Sequence, residues 1–416
     1  MNWLKHLLFN SWLQLGYNND KTHRTSPSPR TPKTSGFPIL DSTPRIEEER
    51  MPAYDRGPFY PVKLGDVFVS RYQILSKLGF GANSTVWFGR DLHQHWYIAL
   101  KIYIWGSENR EVRVLKHLSG VKTHHPGSAL VRRMIGEFEI AGPSGKHQCI
   151  VYEPLLTSLL HFQATLNSQS LPEDLLKGAL QQLLLALDYL HTEAHVIHTD
   201  IQAKNIIIGS KDDSIYREWE NEEEAEPSPR KIVGSSSIVY KSRPFLRKKG
   251  WSGFGMPLLS DFGEARLGDV HTGLIQPDIY RAPEVILGMR WTSKVDIWNV
   301  GVLIWDLFED HHLFDGRAPN GNQSDAHLLA EMVAMLRPPQ ADFLRKSPRS
   351  PKYWDSMGQW KAAVEVPHCS LEESEEYLEG ENKTLFMRFI RKMLRWDPEE
   401  RQSARELLSD PWLTSQ

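Results

Sequence analysis

Hydrophobic periodicity changes between residues 152 and 155, and this constrains the fold more than any single motif. From Arg71 onward, apolar residues come in short β-branched and aromatic runs separated by turn residues: RYQILSKLGF, STVWFGRDL and WYIALKIYIW. That pattern predicts an antiparallel sheet, joined by one helix from about Ser107 to Leu118. Beyond Leu155 the runs lengthen and take the 3.6-residue period, as in LPEDLLKGALQQLLLALDYLH, VDIWNVGVLIWDLFED, AHLLAEMVAMLR and NKTLFMRFIRKML. A small sheet lobe followed by a larger helical lobe is therefore expected, an α+β fold without an internal repeat.

The length of 416 residues suits two packed lobes, and 16 Phe, 13 Tyr and 14 Trp supply the apolar surface. With 49 basic against 52 acidic residues the charge is nearly balanced, which argues against a dedicated nucleic-acid binder. Only Cys149 and Cys369 occur, which excludes a disulfide framework and favours a reducing compartment. No apolar run approaches the length of a transmembrane helix. Residues 1–53 read as a disordered extension, because the Ser-, Thr- and Pro-rich stretch THRTSPSPRTPKTSG and the charged IEEER bury too little to offset their ordering entropy. Residues 54–71 lead into the globular part.

Several short constellations carry chemistry. Leu78, Gly79, Phe80, Gly81, Ala82, Asn83, Ser84, Thr85 and Val86 form a glycine turn between two strands, where the backbone can approach a phosphate. Taken alone it reads better as a plain hairpin turn; it fits neither a Rossmann fingerprint nor a Walker loop. Ala99-Leu100-Lys101 then puts a lysine on an apolar strand. Glu111 lies on the apolar face of the next helix with Leu115 and Leu118, so Lys101 is its natural cation. The densest cluster is His198-Thr199-Asp200-Ile201-Gln202-Ala203-Lys204-Asn205. There Asp200 can deprotonate a hydroxyl and the Asn205 amide oxygen can bind Mg²⁺. Leu259-Ser260-Asp261-Phe262-Gly263 adds a second oxygen donor; Ala282-Pro283-Glu284, Asp296-Ile297-Trp298 and Arg401 follow in order.

In this order the set resembles the signature of the eukaryotic protein kinases over roughly residues 72–413. Within that superfamily the chain is most similar to the SR-protein kinases and their fungal relatives. The carrying pieces are Tyr60-Pro61-Val62, Gly65-Asp66, Ser84-Thr85-Val86-Trp87, residues 139–152 (EIAGPSGKHQCIVY), His198-Thr199-Asp200 and Ile279-Tyr280-Arg281. The resemblance implies a bilobal kinase fold, with an N-lobe over 72–153 and a C-lobe over 154–413. It implies ATP and Mg²⁺ as cofactors, with residues 78–86, Ala99 and Lys101 holding the nucleotide and Glu111 positioning Lys101. Glu108 is the alternative partner for Lys101. Tyr152 would be the gatekeeper, Glu153 and Leu155 would offer backbone hydrogen bonds to adenine, Asp200 would be the base, and Asn205 and Asp261 the metal ligands. Glu284 with Arg401 would form a structural ion pair, and Asp296 would brace the catalytic loop.

The same resemblance implies a monomeric serine/threonine kinase of cytoplasm and nucleus. Its partners would be basic Arg/Ser-rich proteins, through which it would act in splicing regulation and signalling, with neither nucleic acid nor membrane bound directly. A pseudokinase scaffold and a tyrosine or dual-specificity kinase are the alternatives. Thr199 replaces the arginine that reads an activation-loop phosphate, so that phosphate is not expected to be needed. Gln202 and Pro277 stand where the family has a lysine and a threonine. Lys204, four residues after Asp200 as in tyrosine kinases, is then the substitute cation; the other reading leaves Lys204 in solvent and gives Gln202 the phosphate contact. Residues 210–252 form an insertion, expected as a solvated, partly disordered loop in which SSSIVYKSRPF could dock on the helical lobe. The acidic stretches 218–226 and 372–381 read as solvated faces, the second a surface helix opened by Ser370 and Glu373.

Overall fold

The alternating apolar runs of the first lobe pair as strands β1 (Val67–Phe68), β2 (Tyr72–Gly81), β3 (Ser84–Asp91), β4 (Trp96–Tyr103), β5 (Met134–Ala141) and β6 (Lys146–Tyr152). All pairs are antiparallel, in the order β1-β2-β3-β4-β6-β5. The computed structural model describes residues 29–33, 35–107, 109–210, 213–233, 237–243, 245, 253–309, 311–361 and 364–415. Residues 1–28 of the expected extension and Glu108 lie outside the described residues. The helix of this lobe begins at Arg110, where the Asn109 side chain accepts from the Val112 amide, and runs to Gly120.

The second lobe is built around the helices Glu173–Thr192 and Lys294–Phe308. Helix Lys294–Phe308 is apolar almost all round and buried almost all round, from Val295 to Phe308, as a central core helix should be. Short strands line the junction with the sheet lobe. β7 (Thr157–Ser158), β9 (Ile206–Ser210) and β12 (Phe254–Leu259) form one sheet, and β8 (Val196–Ile197) pairs with β13 (Arg266–Leu267). One continuous core joins the lobes, with Val112, Leu115 and Ile150 of the first packed into the same cluster as Leu187, Phe262 and Trp298 of the second.

Two expectations are corrected here. The described part of the N-terminal extension is ordered against the sheet lobe: Glu48 is ion-paired with buried Lys77, and Glu49 meets Lys231 at 2.9 Å. Ile39 bridges Arg230, whose guanidinium lies 3.6 Å from the Phe37 ring centroid. Charges that would be solvated in an isolated segment find partners far along the chain, and these partners offset the entropy of ordering it.

The described part of the insertion likewise folds, and on the sheet lobe rather than the helical one. Its helix Ser214–Ala225 places Ile215, Tyr216 and Trp219 against Phe88 of β3, with Phe245 and Leu156. This cover explains why β3 is buried on both faces. A hairpin of β10 (Arg230–Val233) and β11 (Ser237–Tyr240) follows, and Tyr240 joins the outer core with Trp87. The first acidic stretch is therefore not a solvated face throughout. Glu220 is buried between Arg90, Tyr97 and Arg30, and Glu223 holds Ser228 and Arg243. In the second stretch, Ser370 caps a helix that spans only Leu371–Ser374. Among the described residues no helix is long and apolar enough to cross a membrane.

Candidate active site

The glycine turn is a β2–β3 hairpin, with Gly79 opposite Val86, Phe80 opposite Thr85 and Gly81 opposite Ser84. A Cβ added to Gly79 or Gly81 would meet nothing within 4 Å, so the loop leaves open space where a phosphate would lie. Thr85 is buried and its hydroxyl accepts from Trp87 Nε1 at 2.8 Å, which leaves the backbone of this segment to face a ligand. Ala99 is buried in β4, paired with Phe88 of β3 and Tyr152 of β6.

Register places Lys101 in β4, and the helix brings Glu111 to it: Lys101 Nζ donates to Glu111 Oε2 at 2.7 Å and lies 3.4 Å from Asp261 Oδ1. Burial works against the Lys101 ammonium, but Glu111 and Asp261 more than offset it and raise its pKa above the ordinary lysine value. In return Lys101, the largest influence on Asp261, holds that carboxyl below the usual range and ionised. Asp261 has φ +63°, and a Cβ on Gly263 would sit 3.3 Å from its Oδ1, so the glycine permits this approach.

The catalytic loop is held from beneath. Asp296 accepts from the amides of His198 and Thr199 at 2.8 Å each, and from His191 Nε2 at 2.8 Å. His198 bonds the Ser260 carbonyl at 3.0 Å and meets the Phe262 ring edge-on, linking this loop to the Asp261 segment. Asn205 Nδ2 donates to Asp200 Oδ2 at 2.8 Å and Gln202 donates to Asp200 Oδ1, so both oxygens of Asp200 are fixed. Burial raises the Asp200 pKa, opposed by Lys204 and His198. With its nitrogen committed to Asp200, Asn205 has Oδ1 left to offer a cation; together with Asp261 this is a hard-oxygen pair of the kind that would suit Mg²⁺. Lys204 is exposed and, among the described residues, interacts only through its charge with Asp200, so its ammonium is open to a ligand.

At the hinge, the Pro154 carbonyl accepts from Tyr216 of the insertion at 2.6 Å, and the Leu156 amide donates to Ile208. The Glu153 carbonyl accepts from Arg132 at 3.3 Å. Arg132, Tyr103 and Tyr216 were missed in the sequence, where nothing in their local pattern separates them from ordinary strand or loop residues.

Hydrogen bonds and an ion pair to the rest of the helical lobe and to the Arg110 helix fasten the segment that follows Asp261. Buried Thr199, at φ +66°, donates its hydroxyl to the Glu264 carbonyl at 2.7 Å, and the Glu264 carboxylate reaches Arg110 of the helix at 3.1 Å. Gln276 donates to Val295 at 3.0 Å and accepts from Ala282 at 2.9 Å, while Asn299 donates to the Tyr280 carbonyl at 2.6 Å. Protein treated with phosphatase is accordingly expected to keep its full transfer rate. A tenfold or larger drop, measured on the same peptide, would show that a loop phosphate is required.

The protein kinase domain family model matches residues 72–217 and 252–413; the break between them falls in the insertion. A serine/threonine protein kinase of Aspergillus fumigatus is 80% identical over 395 residues, covering 94% of this chain and 97% of the relative. The serine/threonine-protein kinase SRPK of Physarum polycephalum is 30% identical over 402 residues, 88% of this chain and 91% of its own. SRSF protein kinase 3 of Homo sapiens is 24% identical over 512 residues, 88% and 90% of the two chains. A crystallised kinase domain superposes with a TM-score of 0.63 at 21% identity, covering 86% of this chain and 99% of that one.

Proposed function

Because the chain belongs to the protein kinase family, we propose that it is a serine/threonine kinase that transfers the γ-phosphoryl group of Mg·ATP to hydroxyls in basic, Arg/Ser-rich protein segments. The observation that carries this reading is the convergence of Lys101, Glu111, Asp200, Asn205 and Asp261 in one cleft, each with the partner its role requires. A pseudokinase would lack at least one of these groups.

The residues divide the work as positioning and charge neutralisation. Asp200, oriented by Gln202 and Asn205, accepts the proton of the attacking hydroxyl. Lys101, held by Glu111, neutralises phosphate charge, and backbone amides of residues 78–86 cover the phosphates. Asn205 and Asp261 would hold Mg²⁺, which would supply further neutralisation of phosphate charge. Lys204 stands exposed beside Asp200 and fits the role of a cation for the transferring phosphoryl.

Charge beside the substrate loop supports a basic substrate. Asp278 and Asp325 are half-buried and both reach Arg281, at 2.5 and 3.6 Å. Two carboxylates against one arginine leave this patch net negative, which draws cationic segments at low salt. The names of the Physarum and human relatives point the same way. A role in splicing regulation and intracellular signalling, in cytoplasm and nucleus, rests on that resemblance. In a peptide assay, an Arg/Ser repeat is expected to outpace an acidic serine peptide by roughly tenfold or more, with the advantage shrinking as salt screens the attraction. Equal rates at all ionic strengths would overturn the substrate preference, and label recovered on tyrosine alone would overturn the acceptor.

A further inference from the structure

The Lys101–Glu111 pair is not held by its own two residues. Glu111 is buried, 3% exposed, and its two carboxylate oxygens have different partners. Oε2 accepts from Lys101 and from Tyr103, whereas Oε1 accepts only from the Tyr152 hydroxyl, at 2.6 Å. Tyr152 is thus the one donor, among the described residues, that fixes the rotation of the carboxylate about its long axis.

Tyr152 is itself clamped. The Arg132 guanidinium lies 4.1 Å from its ring centroid, on the attractive face of the π system. Arg132 Nη1 donates to Ser260 Oγ and Nη2 to the Glu153 carbonyl, both at 3.3 Å, and its backbone amide donates to the Leu259 carbonyl at 2.8 Å. The same side chain therefore touches the hinge residue Glu153, the ring of Tyr152 and the residue next to Asp261. Among the described residues no carboxylate pairs with Arg132, and its enclosed Nε has no hydrogen-bond partner. A half-buried guanidinium without a counter-ion is not what a structural ion pair looks like, and groups kept at such a cost concentrate at functional sites. Burial lowers its pKa, and the charge of Tyr152, Glu111 and Asp261 works in the opposite direction.

We infer that Arg132 and Tyr152 are positioning residues for the transfer: they brace Glu111, and through it Lys101, against the hinge on one side and the Asp261 strand on the other. This inference rests on the kinase reading of the same cleft. Neither residue touches the reacting atoms. They act by keeping the Glu111 carboxylate in the one rotation that leaves Oε2 aimed at Lys101. When Oε1 loses its donor, the buried carboxylate turns to recover one and draws Lys101 off the phosphates.

The test uses steady-state kinetics on the full chain with Mg·ATP and an Arg/Ser peptide, alongside thermal melting. Tyr152→Phe keeps the ring beneath Arg132 and removes only the hydroxyl. It is expected to lower kcat by about tenfold, equivalent to one lost hydrogen bond of about 1.4 kcal/mol, with Tm and the KM for ATP nearly unchanged. Tyr103→Phe should cost less, because Oε2 still has Lys101. Arg132→Met should fall to about the Tyr152→Phe level, Arg132→Lys should recover part of the loss, and the double variant should be little worse than either single one. Wild-type kcat in both single variants, losses that multiply in the double variant, or losses that merely track a lowered Tm would each overturn the brace while leaving the kinase reading intact. Absence of transfer in the wild-type protein would overturn that reading, and the brace with it.

Discussion

Asp200→Asn is expected to lower kcat by about 10²- to 10⁴-fold, the range for loss of a positioned general base, with little change in the affinity for ATP. The carboxylate takes a hydrogen bond on each oxygen, from Gln202 and Asn205, and this leaves it directed at an incoming hydroxyl rather than at the nucleotide. In the variant one of those two donors must turn away from the new amide nitrogen. Melting with and without Mg·ATP therefore belongs beside the kinetics, to show that the nucleotide still binds. Unchanged kcat would remove Asp200 from the chemistry. The same residue sets the acid side of the pH profile. Because burial raises its pKa, the carboxyl takes up its proton at a higher pH than a solvent-exposed aspartate, and a protonated carboxyl cannot accept another. The rate should fall as pH drops through that raised value, and a limb at the ordinary aspartate position would contradict the assignment. In the same assay Lys204→Ala should lose about tenfold or more in kcat, with a smaller effect from Gln202→Ala. Unchanged kcat in Lys204→Ala would return that lysine to the solvent.

Glu284→Gln is expected to be the most damaging single change for stability. Glu284 and Arg401 are both fully buried and meet through two parallel hydrogen bonds of 2.7 Å. Arg401 also donates to the carbonyls of Arg395 at 2.9 Å and Lys294 at 3.0 Å, and its guanidinium lies 5.1 Å from the Trp298 ring centroid. Glutamine is neutral and cannot accept through its nitrogen, so the buried guanidinium loses its counter-charge and one of its two short hydrogen bonds. Breaking such a pair costs about 3–5 kcal/mol, a large part of the stability of an ordinary domain. Chemical denaturation should show that loss directly as a lower midpoint with little change in slope. A loss below about 1 kcal/mol, the worth of an exposed pair, would mean that solvent reaches the site. Since the pair ties the end of the substrate loop to the base of the helical lobe, activity should fall less steeply than stability at low temperature.

How much of this was readable in the chain varies with distance along it. The change of period in the region of residues 152–155 is local, and so is the division into a sheet lobe and a helical lobe that follows from it. The candidate catalytic groups were legible as a cluster because each sits in a short run whose residue types fit only a few chemistries. Lys101 and Glu111 are ten residues apart and meet as their strand and helix faces imply; Asp200 and Asn205 are five apart and bond directly. The described parts of the insertion and of the extension were misread for the opposite reason. Their composition is polar and charged, and taken alone it describes a chain that cannot offset its own ordering entropy. What orders them is a set of partners 29 to 195 residues away, such as Lys77 for Glu48 and Lys231 for Glu49. Arg132 belongs to the same class. Nothing in VRRM marks which arginine faces the cleft, because that is fixed only when β12 pairs beside it and Tyr152 comes under its guanidinium. Periodicity and short motifs, being local, determined the two lobes and the chemistry of the cleft. Charge pairing across long sequence separations has a physical meaning only after the chain has closed on itself, so the cap over β3 and the brace behind Lys101 were decided by the tertiary structure alone.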